Sequence, residues 1–416
     1  MKMVAVTHPT GNANVRAVLS GLRRAGRLSA FYTSFGVSSA SPRFRALPVS
    51  VRRQLERRAY DLPPGLLKTR PVRELVRLAS GRVCKPNARD VDAVYQNLDR
   101  SLAAVIAQGR LAPGTGTIYG YEDGCREAFR AARHRGLSCC YDLPIGYWRA
   151  ARLIFEEEAE RQPDWAMTLT GLADSPEKLA RKDEELALAD SILVASSFTR
   201  ETLALAPAMD ARISVIPYGA PVPASTLRPA TRATTPLRVL FVGGLSQRKG
   251  LSYLFEAIDR LKAAATLTVI GRRPEGCPAL DRNLARHTWI PTLPHAGVLE
   301  AMREHDVLVF PSLFEGFGLV ILEALAQGLP VITTPHTGGP DILTEGDDGF
   351  IIPLRSTAAI EEKLAVLARD RVRLEAMRHQ ALRTAARHPW SRYGDRVAEL
   401  IRSDQVTSTQ HADATV

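Results

Sequence analysis

The second half of the chain is built from short apolar runs, each followed by a stretch of helical periodicity, and that alternation leaves few folds open. Residues 238–242, 267–270, 307–310 and 330–334 are near-continuous apolar, β-branched runs, and 342–353 holds one more short strand. Between them, 251–264 carries Leu251, Leu254, Phe255, Ile258 and Leu261 on one helical face; 298–304 reads as helical, and 319–327 as a helix closed by Gly328. Strands apolar on both faces and separated by helices form a parallel sheet covered on both sides.

The first half repeats the theme, with strands expected at 4–6, 117–119, 138–141 and 191–194 and helices at 14–25, 92–107, 122–134, 176–188 and 199–205. Residues 216–236, rich in Pro, Thr and Ala, have linker chemistry. The expected class is therefore α/β, with two doubly wound domains facing a central cleft: an N-terminal domain over 1–216, a linker over 217–236 and a C-terminal domain over 237–387. At 416 residues, 45% apolar and 24% charged, the chain can fill two such cores without staples. Its five cysteines, at 84, 125, 139, 140 and 277, are odd in number and lack a C-x-x-C spacing. They read as reduced, buried thiols rather than a disulfide or zinc framework. No apolar run is long enough to cross a membrane, and the apolar N-terminal stretch is too short for a signal peptide. A cytoplasmic location is expected.

Lys and Arg number 55 against 44 Asp and Glu, a net charge of +11. Residues 41–90 hold thirteen basic and four acidic residues and interrupt the strand–helix rhythm as an insertion. Two readings stand: a solvated basic face, or contact with something anionic, either a lipid surface such as the inner membrane or phosphate groups. The segment lacks aromatic interleaving and no nucleic-acid-binding motif occurs, so no nucleic-acid partner is expected.

Two segments carry chemistry. In 310–324, a strand leads into Glu315, Gly316, Phe317, Gly318 and Leu319, then a helix containing Glu323. The glycines let backbone approach a ligand, and the N–H groups of Gly318 and Leu319 open a helix N-terminus suited to phosphate. Glu315 and Glu323 are eight residues apart, at most about 12 Å along a helix. That exceeds the spacing of about 5–9.5 Å in a glycosidase carboxylate pair. It suits two hydroxyl-bearing parts of one long ligand, such as the sugar and the ribose of a nucleotide sugar. In 241–250, another strand leads into a loop through Gly244 that ends in Arg248 and Lys249, adjacent cations suited to a diphosphate. This loop is neither a P-loop nor a dinucleotide fingerprint. Asp90 and Asp92 form a D-x-D, but they precede a helical face and read as a cap; no metal site and no cofactor are expected.

With these segments on the page, the chain resembles the family 4 retaining glycosyltransferases of GT-B fold, specifically over about 190–400. Residues 315–323 match their E-x7-E motif and 243–250 their donor-phosphate loop. Residues 189–196 resemble their Asp-to-Ser strand, 216–219 their I-P-N-G hinge, and Trp390 to Tyr393 the start of a helix over 388–402 that crosses back to the N-terminal domain, before a disordered tail at 403–416. The resemblance implies two Rossmann-like domains and a nucleoside diphosphate sugar as donor. By position, Glu315 grips the donor sugar, Phe317, Gly318 and Leu319 line the phosphates, Glu323 holds the ribose, and Lys249 holds the pyrophosphate. The family's loop Arg falls on Gly244, with Arg248 as its substitute; Arg272 and Leu293 lie in the region that cradles the base. Where the family often has a His near the transferring sugar, this chain has Asp142, which reads either as a catalytic group or as a turn residue before Pro144. His8, Gly11 and Asn12 are acceptor-side candidates, with Asn12 equally a plain helix cap. The implied activity is retaining sugar transfer to a glycan or lipid-linked acceptor in cell-surface polysaccharide or glycolipid synthesis. The alternatives are a GT-B nucleotide-sugar 2-epimerase and a non-catalytic sugar-nucleotide or membrane-surface binding protein.

Overall fold

The computed structural model describes residues 2–80, 88–228 and 234–413. Arg82, Cys84 and Lys85, part of the linker, and the last three residues lie outside them.

Seven strands form the first sheet: β1 (Met3–Thr7), β2 (Leu28–Thr33), β3 (Leu67–Thr69), β4 (Thr115–Tyr121), β5 (Ser138–Leu143), β6 (Ser191–Val194) and β7 (Arg212–Val215). Their spatial order is β3-β2-β1-β4-β5-β6-β7, and every pairing is parallel. Six strands form the second: β8 (Leu237–Val242), β9 (Ala265–Ile270), β10 (Thr288–Ile290), β11 (Val307–Phe310), β12 (Val331–Thr333) and β13 (Gly349–Ile351). Their order is β10-β9-β8-β11-β12-β13, again all parallel. In both sheets the order reverses beside the first strand, and in doubly wound sheets ligands bind at that crevice.

The structure departs from the sequence expectation in several places. Part of the basic 41–90 stretch is no insertion: β3 pairs Phe31 with Leu67 and Thr33 with Thr69, extending the main sheet by one edge strand. The helix expected at 122–134 begins only at Arg126. The preceding turn puts Asp123 at φ +68°, and the buried Glu185 carboxylate accepts the N–H groups of Asp123, Cys125 and Arg126. A carboxylate that receives three backbone donors fixes a turn in place of a first helical turn. Strands β2, β7 and β10 and the helix Trp148–Arg161 are additions to the sequence reading. Where fraying was expected from residue 403, the terminal helix instead continues, spanning Trp390–Asp413.

That helix packs along Ala13–Arg24 of the N-terminal half: a Cβ on Gly21 would lie 2.1 Å from the Gly394 carbonyl oxygen, and Arg24 pairs with Asp395 at 2.6 Å. The halves also meet in the middle. Trp165 stacks on Phe255 with ring centroids 6.1 Å apart, and Tyr218 of the hinge meets Phe317 edge-on at 5.2 Å. Cys125, Cys139, Cys140 and Cys277 are buried.

Candidate functional site

The loop after β8 and the loop after β11 interlock. Ser246 caps a single 3-10 turn, Gln247–Lys249, which ends at Gly250 with φ +69°. The carbonyl of Arg248 accepts the N–H of Leu313 at 2.8 Å and the hydroxyl of Ser312 at 3.2 Å. This seats both cations against Glu315. Arg248 Nη1 donates to the Glu315 carboxylate at 2.6 Å and to the Phe314 carbonyl at 2.9 Å, and Lys249 Nζ pairs with the same carboxylate oxygen as Arg248. Lys249 also sits 4.6 Å from the centroid of the Phe310 ring. Burial brings its ammonium down to about 8, against the pull of Glu315 and helped by Arg248. Burial also works against the charge on Glu315, but Lys249 and Arg248 overcome it and hold that carboxyl below its ordinary value.

Gly318 sits at φ +82°, a left-handed cap that glycine adopts without strain, and opens the helix Leu319–Ala326. The first N–H groups of such a helix have no partner within it and favour an anion. Phe317 is buried and contributes its backbone, its carbonyl accepting the N–H of Gly338 at 2.6 Å. Gly316 has a role the sequence reading did not give it. A Cβ there would lie 1.8 Å from the carbonyl oxygen of Pro144, so what the missing side chain admits is the N-terminal half of this protein. The Gly316 carbonyl in turn accepts Ser196 Oγ at 2.5 Å and Thr199 Oγ1 at 2.8 Å.

Glu323 projects from the helix Leu319–Ala326, and His295 Nε2 lies 2.9 Å from its carboxylate. Arg272 is exposed, its carbonyl accepting the Leu245 N–H at 3.0 Å, and Leu293 is half-buried. A Cβ on Gly244 would meet nothing within 4 Å. Gly244 and Arg248 line a cavity of about 430 Å3, whose opposite wall comes from Ile145, Trp148, Arg152 and Phe155 of the N-terminal half.

The N-terminal candidates are placed differently. Asp142 ends up 1% exposed, accepting the Tyr119 hydroxyl at 2.6 Å, and is not part of that cavity's lining. Burial raises its carboxyl to about 7. His8 is buried too, its Nδ1 accepting the Thr10 N–H at 3.0 Å and its ring edge-on to Tyr121; burial pushes it down to about 3, so it is neutral. Gly11 and Asn12 line a separate cavity of about 510 Å3 with Arg16, Arg57 and Arg58. Asn12 takes the cap position of helix Ala13–Arg24 without a side-chain hydrogen bond to it. The structure thus gathers Gly244, Arg248, Lys249, Glu315, Gly318 and Leu319 around two interlocked loops, whereas His8 and Asp142 are enclosed and Gly11 and Asn12 line a second cavity. Glu158 and His295 join the site's surroundings without any sequence motif to announce them, because their partners are distant in the chain; Gln247 lies inside the donor-phosphate loop motif, but only the structure shows that it reaches Glu158. Among the described residues no group of three or more His, Cys, Asp or Glu is arranged to hold a metal.

Residues 236–370 match the family model Glycosyl transferases group 1. A D-inositol 3-phosphate glycosyltransferase of Nocardia farcinica is 29% identical over 254 residues, covering 54% of this chain and 56% of that protein. A phosphatidyl-myo-inositol mannosyltransferase of Mycobacterium leprae is 30% identical over 160 residues, 37% of this chain and 43% of the relative. The chain therefore spans about half the length of these curated relatives. Among solved structures, a sucrose-phosphate synthase from Thermosynechococcus elongatus superposes with a TM-score of 0.65 at 17% identity, over 98% of this chain and 100% of that one. An alpha,alpha-trehalose-phosphate synthase (UDP-forming) from Burkholderia vietnamiensis gives 0.62 at 14% identity, over 98% and 99%. At these identities the likeness is one of fold, and that fold is GT-B.

Proposed function

We propose, from the match of residues 236–370 to the group 1 glycosyl transferases and from the GT-B fold, that this chain transfers a sugar from a nucleoside diphosphate sugar to an acceptor hydroxyl, with retention at the anomeric carbon. The observation that carries the reading is the buried Glu315 carboxylate held by both Arg248 and Lys249 beside the helix that Gly318 opens.

In this reading the donor diphosphate competes with Glu315 for the two cations. Its oxygens take the Arg248 guanidinium, the Lys249 ammonium and the first N–H groups of helix Leu319–Ala326. Glu315, released from them, accepts hydroxyls of the donor sugar, and Glu323 accepts the ribose hydroxyls. As the bond from the anomeric carbon to the diphosphate breaks, the electron pair stays on the diphosphate, where the preorganised positive groups stabilise it. Removing one such group costs about 3–4 kcal/mol of barrier. The acceptor oxygen bonds to the same face of the anomeric carbon, and its proton passes to the departing diphosphate oxygen. Glu315 orients the donor and forms no covalent intermediate. Asp142, enclosed with Tyr119, makes no substrate contact in this scheme.

The test is thermal or calorimetric binding of UDP, GDP and ADP to wild type and Glu323→Ala, followed by acceptor-dependent release of the diphosphate. A ligand at 100 times its Kd stabilises by about 2.7 kcal/mol. One diphosphate that stabilises wild type and loses most of that in Glu323→Ala supports the ribose assignment. Conversion of the nucleotide sugar to its 2-epimer without any acceptor favours epimerase chemistry, and no binding of any diphosphate sinks the donor reading.

The acceptor is proposed to be glycan or lipid-linked, reached from an anionic membrane surface. The support lies in the basic segment, which exposes Val49, Val51, Val72, Leu75 and Val76 among Arg43, Arg45, Arg53, Arg57 and Arg73. Apolar side chains interleaved with cations suit an interfacial surface. Flotation with anionic against neutral vesicles at about 0.15 M salt, where surface charge acts over about 8 Å, tests it; equal flotation with both overturns it.

A further inference from the structure

Glu158 lies in the helix Trp148–Arg161 of the N-terminal half and is wholly buried. Its carboxylate accepts three side-chain donors, all from the other half: Gln247 Nε2 at 2.7 Å, Tyr253 Oη at 2.9 Å and Arg355 Nε at 2.7 Å. Burying a carboxylate is costly, and an apolar residue of similar volume often serves packing as well or better. The three donors therefore point to a task beyond packing. Gln247 directly precedes Arg248 and Lys249 and is itself fully buried. Its amide bridges Glu158 to Ser252, donating to Ser252 Oγ at 2.6 Å and accepting the Ser252 N–H at 3.1 Å. The same turn is gripped a second time from the N-terminal half. Thr168 Oγ1 accepts the Gln247 N–H at 2.8 Å, and the Thr168 carbonyl accepts Ser246 Oγ at 2.6 Å. The turn that carries both cations is thus fastened to the opposite half of the molecule, with the one buried carboxylate as its anchor.

We infer that Glu158 is a positioning residue: through Gln247 it fixes Arg248 and Lys249 in the orientation that receives the donor diphosphate, and so ties the making of the phosphate site to contact between the two halves. This rests on the donor-site reading above. Glu158 touches no substrate; it acts through the turn.

The experiment measures UDP, GDP and ADP affinity by calorimetry, with melting temperature, for wild type, Glu158→Leu, Glu158→Gln, Gln247→Met and the double variant Glu158→Leu/Gln247→Met. For the diphosphate that wild type binds, Kd rises about tenfold or more in Glu158→Leu and in Gln247→Met. The double variant loses little more than either single one, because both act through one contact. Glu158→Gln retains an oxygen for Gln247 and Tyr253 and recovers most of the affinity even where its melting temperature stays low. Unchanged affinity in folded Glu158→Leu, or losses that add in the double variant, overturns the inference while leaving the donor reading intact. If Glu158→Leu does not fold, Gln247→Met and Glu158→Gln decide in the same way: normal affinity in Gln247→Met overturns the inference. Wild type that binds none of the three diphosphates overturns the donor reading and this inference with it.

Discussion

The two halves share a strand order, but three enclosed carboxylates of the first and Glu315 of the second use buried charge in different ways. In the N-terminal half, Glu185 caps a turn through three backbone N–H groups, Asp99 accepts the N–H groups of Glu127 and Ala128, and Asp142 accepts the Tyr119 hydroxyl. Burial raises all three carboxyls, Glu185 to about 8 and Asp142 to about 7. In the C-terminal half, Glu315 is buried too, yet two cations keep its carboxyl below the ordinary value. The difference teaches what kind of partner makes a buried charge useful. N–H groups and a tyrosine hydroxyl spend a carboxylate on architecture, whereas cationic side chains form a pair that an incoming anion can exchange into.

The largest effect expected from this contrast is at Lys249. Lys249→Met should cost about 100- to 1,000-fold in kcat/KM, as for loss of one preorganised charge-stabilising donor. A comparable loss in Glu185→Gln with an unchanged melting temperature would break the comparison. Next comes Gly316→Ala, whose Cβ must push against the Pro144 carbonyl. Overpacking of this kind costs about 1–3 kcal/mol. Activity should fall together with melting temperature while a nucleoside diphosphate still binds. A silent Gly316→Ala would mean that the halves are not pressed together there.

A smaller effect is one of pH. In the proposed scheme phosphate binding requires the Lys249 ammonium, whose free-state pKa is drawn down to about 8 by burial. Diphosphate affinity measured by titration calorimetry should therefore hold below pH 8 and weaken as pH rises through it. Lys249→Met should abolish that dependence, and a flat wild-type profile between pH 7 and about 9.5 would contradict the assignment. The smallest effect is expected at Asp142. Asn in its place still accepts the Tyr119 hydroxyl, so turnover should stay within about threefold and stability within about 1 kcal/mol. A large loss of turnover in well-folded Asp142→Asn would return that residue to the catalytic machinery and erase the contrast between the halves.

What could be read in advance follows the same division. The apolar runs at 307–310 and 331–333 are wholly buried strands, and no competing pattern obscures them. In the N-terminal half, β2 (LSAFYT) mixes Ser, Tyr and Thr into a strand that is buried throughout, and β3 is three residues of an edge strand inside an arginine-rich stretch. Neither carries a period that distinguishes it from loop. The helix Trp148–Arg161 hides its function because Glu158, one of several glutamates in a run, looks like surface charge until the second half closes over it.

By itself the sequence determined the α/β class, the parallel sheets and the segments bearing Arg248, Lys249, Glu315, Gly318 and Glu323, since these depend on short-range patterns: runs, helical faces, and loops between a strand and a helix. Only the tertiary structure decided that Gly316 makes room for Pro144, that Asp142 and His8 are enclosed, and that Glu158 anchors the turn carrying both cations. Each of those depends on which atoms meet across a long chain separation. Burial and pairing there set the charge state and orientation of a side chain, and neither is encoded in its neighbours along the chain.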